Sequence, residues 1–309
     1  MAVNERLMER IISEKENAFP QDVAIETTGF CNLNCIMCSN NKMKRKKGAM
    51  RWTLFIKLVE EIAEKAKDYT RLWLCFYGEP LMSKDIADRI IFAKSKGIKN
   101  VVINSNMNLM NPELAEELVK SGLNSVFVGL DATTAEVYSG IRRNGDFEKV
   151  VRNVIYYKEM LDKFGTDDQQ IVVQFVDMPQ NHHQRDLVVS FWSKHGIQVK
   201  VRPLVTWHDS IADVLHSQEV LGSHEVERAP CHWIMNVLPI TSDGKAVWCG
   251  CDYDGQGVCG DLNSDTIGNV WNNVKKQHRL IHTEGRWDEL PEFCRSCADW
   301  KGAYATYDH

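Results

Sequence analysis

Cys31, Cys35 and Cys38 follow a short apolar run with the spacing Cys-x3-Cys-x2-Cys. Three thiolates so placed can ligate three corners of a cubane iron–sulfur cluster and leave the fourth iron open, whereas an electron-transfer ferredoxin site uses four cysteines per cluster. An iron with an open position can bind something else. Zinc usually needs a fourth ligand, and no neighbouring His or Cys supplies one. A second group, Cys231, Cys249, Cys251, Cys259, Cys294 and Cys297, lies far downstream, with only Cys75 between the two groups. Sulfur ligation there fits both zinc and an iron–sulfur centre.

The chain has 309 residues, 44% hydrophobic and 26% charged, enough for one large α/β domain and a smaller one. A formal net charge of -5 gives no global reason to expect nucleic acid or an anionic membrane as partner. The basic run Lys42-Met-Lys-Arg-Lys-Lys47 reads as a solvated loop. The first ten residues lack the apolar core of a signal peptide, and no later segment could span a bilayer. Ten cysteines without an export signal indicate metal-binding or redox thiols in a reducing cytoplasm rather than a disulfide framework.

The elements that must position these cysteines alternate in type. Residues 1–20 read as a short helical segment. Val23–Thr27, Leu72–Tyr77, Val101–Asn104, Ser125–Leu130, Ile171–Val176 and Val199–Arg202 have strand character. Helices lie between them: one capped by Thr53, one from Ser83 to Lys96 stopped by Gly97, one opened by Asn111-Pro112 and ending near Gly122, one from Asp146 to Lys163, and one over Gln184–His195. Apolar strands alternating with helices indicate parallel βαβ units with right-handed crossovers. Six such strands suit an open doubly wound sheet or a partial barrel, and periodicity does not choose between them. Cys31–Cys38 follow the first strand, Gly78-Glu79-Pro80 the second, Ser105-Asn106 the third and Asp131 the fourth. Loops at the carboxyl ends of parallel strands share one rim, where such folds carry active sites. Alternation stops near Trp207, dividing residues 21–205 from a cysteine-rich region 206–309. There Trp233–Ile240 and Lys245–Trp248 read as a β-hairpin, with a helix over Asn269–Arg279.

Cys31-x3-Cys35-x2-Cys38 followed by Gly78-Glu79-Pro80 resembles the radical S-adenosylmethionine (SAM) superfamily, whose fold is a partial (β/α)6 barrel, over residues 20–205. The resemblance implies a [4Fe–4S] cluster held by Cys31, Cys35 and Cys38, its open iron chelated by the amino and carboxylate groups of SAM. Gly78, Glu79 and Pro80 would receive the methionyl ammonium. Ser105-Asn106 fits the family's Thr-Asn-Gly turn, and Arg142 fits an arginine near the SAM carboxylate or ribose. Three positions depart from the pattern. Met37 stands where an aromatic residue usually faces the adenine, although a thioether can still pack there. Met107 replaces the glycine of Thr-Asn-Gly. Gly129-Leu130-Asp131 replaces Ser-Ile-Asp, which removes a serine hydroxyl and keeps Asp131. The second region is similar to the SPASM extension in its shortened twitch form. Cys231, Gly244-x4-Cys249 and Cys294-x2-Cys297 imply one auxiliary [4Fe–4S] cluster with four cysteine ligands.

The implied chemistry is reductive cleavage of SAM to a 5′-deoxyadenosyl radical, with electrons from a flavodoxin- or ferredoxin-type donor. Hydrogen abstraction from a small polar substrate, such as a sugar or aminocyclitol, would follow. The expected outcome is a two-electron oxidation in which the auxiliary cluster accepts the second electron. Gln174 and Arg202, on the fifth and sixth strands, are expected at the substrate cavity. Asp252 is a candidate base. Cys251 and Cys259 read as incidental thiols, or else as substitute ligands or hydrogen donors. The alternatives are an epimerase or rearrangement enzyme using such a donor, a peptide-modifying maturase, and a non-enzymatic iron–sulfur or zinc scaffold. About 20 residues before the first strand are too few for a separate leader-peptide domain, since even marginal domains need about 40.

Overall fold

A computed structural model describes residues 18–207, 211 and 227–303. Of the helical segment expected over residues 1–20, residues 1–17 lie outside this set, and residues 18–20 are not helical. Six strands, β1 (Asp22–Ile25), β2 (Arg71–Trp73), β3 (Asn100–Ser105), β4 (Ser125–Gly129), β5 (Gln170–Asp177) and β6 (Gln198–Pro203), pair in parallel and in chain order. A doubly wound sheet reverses its strand order at a switch point. This sheet has no reversal from β1 to β6, so the strands form the arc of a partial (β/α)6 barrel.

Helices α1 (Trp52–Ala66), α2 (Ile86–Ser95), α3 (Pro112–Lys120), α4 (Ala135–Ile141), α5 (Phe147–Phe164) and α6 (Arg185–Lys194) form the crossovers. In α1, Leu54, Phe55, Leu58, Val59, Ile62 and Ala66 form the buried stripe, as a helix covering a sheet requires. The Asn111 side chain accepts from Leu114 N at 2.8 Å with Pro112 in the first turn. Gly97 and Gly122 end their helices at φ +84° and +82°. Thr53 is not a cap. Met50 N donates to the Thr27 carbonyl and Gly29 N to that of Gly48. This pairing keeps the chain extended through Arg51, so α1 starts at Trp52.

The boundary expected at residue 205 does not divide the sheet. Strand β7 (Val237–Ile240) pairs in parallel with β1, from Asp22↔Val237 to Ile25↔Ile240. Strands β8 (Lys245–Val247) and β9 (Val258–Asp261) extend it antiparallel. The first half of the expected hairpin arm Trp233–Ile240 is instead a short helix, α7 (His232–Asn236). The expected helix Asn269–Arg279 is two, α8 (Ile267–Asn272) and α9 (Val274–Thr283), broken where Asn273 takes φ -107° and ψ -91°. Among the described residues no helix is long and apolar enough to cross a membrane.

Candidate active site

Gly78 is required by a backbone crossing. A Cβ there would stand 1.8 Å from the Thr28 carbonyl oxygen, because the chain leaving β2 crosses the chain leaving β1. Glu79 N donates to the Phe30 carbonyl at 2.8 Å at the same crossing. Glu79 is thereby buried beside the Cys31–Cys38 loop. Its Oε1 accepts from Ser105 Oγ at 2.7 Å and Leu81 N at 3.1 Å, and its Oε2 from Asn106 N at 2.8 Å. Burial pushes its carboxyl up, and these donors with Arg142 only partly pull it back. Pro80 opens a short 3-10 turn that Glu79 caps. Asn106 faces the cysteine loop: its Nδ2 donates to Asn32 Oδ1 at 2.9 Å and lies 4.0 Å from Cys31 Sγ. Met107 takes φ +57°, so the turn keeps the left-handed backbone that glycine would adopt freely. Its N–H on Ser105 Oγ and its carbonyl under Asn153 Nδ2 hold it there, against a strain of about 1–3 kcal/mol.

Arg142 reaches the same loop through a two-residue ladder, Asn34–Cys35 against Arg142–Arg143. Its Nη1 lies 4.0 Å from Cys35 Sγ. Asp131 Oδ2 takes Arg142 Nε at 2.7 Å and Nη2 at 2.5 Å, while Asp131 Oδ1 accepts from Val176 N at 2.6 Å. Asp131 is 0% exposed and acts on the site through Arg142. The missing serine has a steric reason. A Cβ on Gly129 would fall 2.2 Å from Arg142 Nη2, so the strand end yields its side-chain space to the guanidinium. Burial pulls the Arg142 pKa down, but Asp131 and Cys35 push it up further, and the group stays charged.

Burial pushes the Cys31 thiol up to about 11 and the Cys35 thiol up to about 12, and raises Cys38 as well. Left free these groups are protonated, and a bound metal is what converts them to thiolates. Cys38 Sγ accepts from Asn40 N at 3.4 Å. Met37 is buried against Ile141, Met178 and Leu204. The donor set fits an iron–sulfur cluster: three thiols from one loop, with N–H groups of Asn40, Asn106 and Arg142 turned to their sulfurs.

In the second region Cys251 is hydrogen-bonded to Cys249, and Cys231, Cys259, Cys294 and Cys297 also lie within electrostatic range of Cys249. Cys251 thus stands among the four expected ligands. Cys259 is buried in the main core, its Sγ on the Gly257 carbonyl at 3.8 Å. Asp252 uses its two oxygens to accept from Gln256 N at 2.7 Å and Gly257 N at 2.9 Å. It shapes its own turn, which gives the role of base no geometric support.

Several residues here carry no motif. Tyr77 donates its hydroxyl to the Gly250 carbonyl at 2.5 Å, accepts at its own carbonyl from Asn40 Nδ2 at 2.8 Å, and packs on Trp207 at 5.5 Å. Trp207 Nε1 donates to the Met37 carbonyl at 2.7 Å. These two aromatics connect the cysteine regions, and the only sequence signal is that Tyr77 precedes Gly78. The basic run is not all solvated. Arg45 forks onto buried Glu26 at 2.6 and 2.9 Å and donates to the Tyr253 carbonyl at 2.7 Å, while Asp254 accepts from Lys44 N and Arg45 N. Inside the arc, Gln174 has its amide satisfied when it donates to Asn104 Oδ1 at 3.2 Å and accepts from Arg202 Nη2 at 3.0 Å. Burial, then Arg71, lowers Arg202 to about 10, and among the described residues no acid offsets this.

A barrel rim that offers thiols from one loop and leaves polar groups beside them defines an iron–sulfur barrel enzyme. The chain belongs to the radical SAM superfamily, whose family model matches residues 25–179. A second model, the SPASM iron–sulfur cluster-binding domain, matches residues 231–298. The cofactors are therefore SAM, a [4Fe–4S] cluster and auxiliary iron–sulfur ligation. Among curated proteins, the chain is 27% identical over 168 residues to the tungsten-containing aldehyde ferredoxin oxidoreductase cofactor-modifying protein of Pyrococcus furiosus, covering 52% of this chain and 44% of that one. It is 31% identical over 135 residues to GTP 3′,8-cyclase of Clostridium botulinum, covering 42% and 41%. It is 26% identical over 197 residues to mycofactocin maturase MftC of Mycobacterium ulcerans, covering 63% and 51%. The chain thus spans about half or less of these relatives. The fold matches BtrN in complex with AdoMet and 2-DOIA with a TM-score of 0.62 at 17% identity, over 90% of this chain and 92% of that one. It matches Streptococcus suis SuiB bound to S-adenosylmethionine with a TM-score of 0.69 at 16% identity, over 96% and 75%.

Proposed function

We propose that the chain catalyses a two-electron oxidation of a small polar molecule. Cys31, Cys35 and Cys38 would hold the cluster at which SAM is cleaved, and the cysteines of the second region would hold an auxiliary [4Fe–4S] centre able to accept the second electron. The observation that carries this reading is the number of thiols in the second region. Cys249 has five further thiols within electrostatic range, more than the corners of one cubane need, so every iron can be thiolate-bound and none is left for substrate. Electron transfer is then the chemistry open to that centre. When bound, the first cluster supplies the electron that converts SAM to a 5′-deoxyadenosyl radical.

The protein's part is binding and orientation. Cys31, Cys35 and Cys38 hold the cluster, and the Gly78–Pro80 turn receives the SAM ammonium with Asn106 and Arg142 beside it. Ser105 fixes Glu79, Asp131 fixes Arg142, and Met37 packs near the adenine. Gln174 and Arg202 meet the substrate. The Arg202 guanidinium offers donors to the hydroxyl or carbonyl oxygens of a sugar or aminocyclitol. BtrN, matched over most of its length, carries 2-DOIA beside AdoMet, which supports a small-molecule substrate. A flavodoxin- or ferredoxin-type protein would deliver the electron.

The surplus thiol supports a second reading, in which Cys251 returns hydrogen to the substrate radical. Anaerobic turnover in D2O with a reductant, read by mass spectrometry, separates them. Oxidation removes two hydrogens and adds no solvent deuterium. Epimerisation leaves the mass unchanged apart from deuterium entry, and that result would sink the dehydrogenase. Absence of 5′-deoxyadenosine under strong reductant would return the chain to a scaffold role.

A further inference from the structure

Helix α9 buries a face made of basic residues. Lys275, His278, Arg279 and His282 fall at i, i+3, i+4 and i+7, one stripe of a helix, and all four are buried, Lys275 at 0% exposure. The stripe faces the auxiliary thiols. Lys275 Nζ donates to the carbonyl of Trp248, the residue before Cys249. His282 Nδ1 accepts from Cys231 N at 3.3 Å, and its Nε2 lies 3.8 Å from Cys294 Sγ. Arg279 lies 3.9 Å from the centre of the Trp271 ring, and its Nη1 has no hydrogen-bond partner. From outside α9, Arg228 donates to the Cys294 carbonyl at 2.6 Å and reaches Cys294 Sγ at 4.0 Å.

Burial holds His278 and His282 neutral, each lowered to about 3, so the charge of the stripe rests on Lys275 and Arg279, and among the described residues no acid pairs with either. Among the described residues, the groups that favour the charged form of Lys275 are Cys259, Cys249 and Cys231, and nothing offsets the burial of Arg279. An unpaired buried charge costs several kcal/mol, so an anion belongs beside this face. A [4Fe–4S] core with four thiolate ligands is a net anion, and reduction by one electron makes it more negative.

We propose that the α9 stripe, joined by Arg228, is the built-in counter-charge of the auxiliary cluster, and that Lys275 and Arg228 act through space to raise its reduction potential. The inference rests on the auxiliary [4Fe–4S] reading above. In the proposed oxidation one electron leaves the substrate radical for the cluster while a proton leaves the substrate for solvent. A cation close to the cluster stabilises the added negative charge and draws that electron. Lys275 and Arg228 are positioning residues, since neither touches substrate.

The test is an EPR-monitored redox titration of the anaerobically reconstituted full chain. Lys275→Met and Arg228→Met should each lower the reduction equilibrium constant of the auxiliary cluster tenfold or more, 59 mV for a one-electron couple. Lys275→Arg should hold it near the wild-type value, and the Cys31–Cys38 cluster should not shift. An unchanged auxiliary midpoint in Lys275→Met would overturn the proposal and reduce Lys275 to a tie for the Trp248 carbonyl. If that variant loses its cluster, an unchanged midpoint in Arg228→Met has the same force. Wild-type iron content for one cubane rather than two would remove the auxiliary-cluster reading itself. Two cubanes with unmoved midpoints would remove the counter-charge alone.

Discussion

The two cysteine regions share one sheet but differ in the charges around them. Near Cys31–Cys38 the charges are already matched: Arg142 is paired with Asp131, and Glu79 is held by three donors. Near Cys249, among the described residues, no acid favours the charge of buried Lys275 and the thiols Cys259, Cys249 and Cys231 do, while the buried Asp299 bears on Cys251 and Cys297 instead. The first pattern suits a site that must accept a ligand carrying both signs of charge and release it. The second suits a closed centre that is itself the missing anion. The difference separates a place where a radical would start from a place where its electron would end.

The sharpest way to break this comparison is Cys35→Ala. It should reduce 5′-deoxyadenosine release to background while the auxiliary cluster keeps its EPR signal; loss of both signals would mean that the two sites do not assemble independently. Gly78→Ala should cost upwards of about 4 kcal/mol, because the new methyl meets the Thr28 backbone rather than a movable side chain. Thermal unfolding measures this, and a near-wild-type Tm would show that the crossing can open. Asp131→Ala strands Arg142 in a buried position and should destabilise the chain by about 3–5 kcal/mol in urea unfolding. A loss below about 1 kcal/mol, the usual size for an exposed ion pair, would mean that the Arg142 charge is solvated after all. Cys251→Ala should have the smallest effect, leaving iron content and the auxiliary midpoint unchanged. A fall to one cubane would make Cys251 a ligand and one of the other four the surplus thiol.

Much of the frame is legible along the chain. Asn111-Pro112, Gly97 and Gly122 mark helix ends by their own side chain or backbone freedom, and each acts where the local rule puts it. Thr53 fails because pairing between Thr27–Gly29 and Gly48–Met50, remote in sequence, decides where α1 begins. The basic run misleads for the same reason. Arg45 looks solvated until Glu26 and Tyr253 are brought to it from other elements.

The sequence by itself determined the strand–helix alternation and the loop of three thiols, because period and spacing act within a dozen residues. It also marked Gly78-Glu79-Pro80, whose glycine records a backbone contact that no side chain would permit. Only the tertiary structure decided that the strands run in an arc, that Arg142 reaches Cys35, and that Cys251 joins the auxiliary thiols. It alone turned the polar stripe of α9 inward. Basic residues at i, i+3, i+4 and i+7 read equally well as a face toward water, and what packs against that face is set by contacts far along the chain.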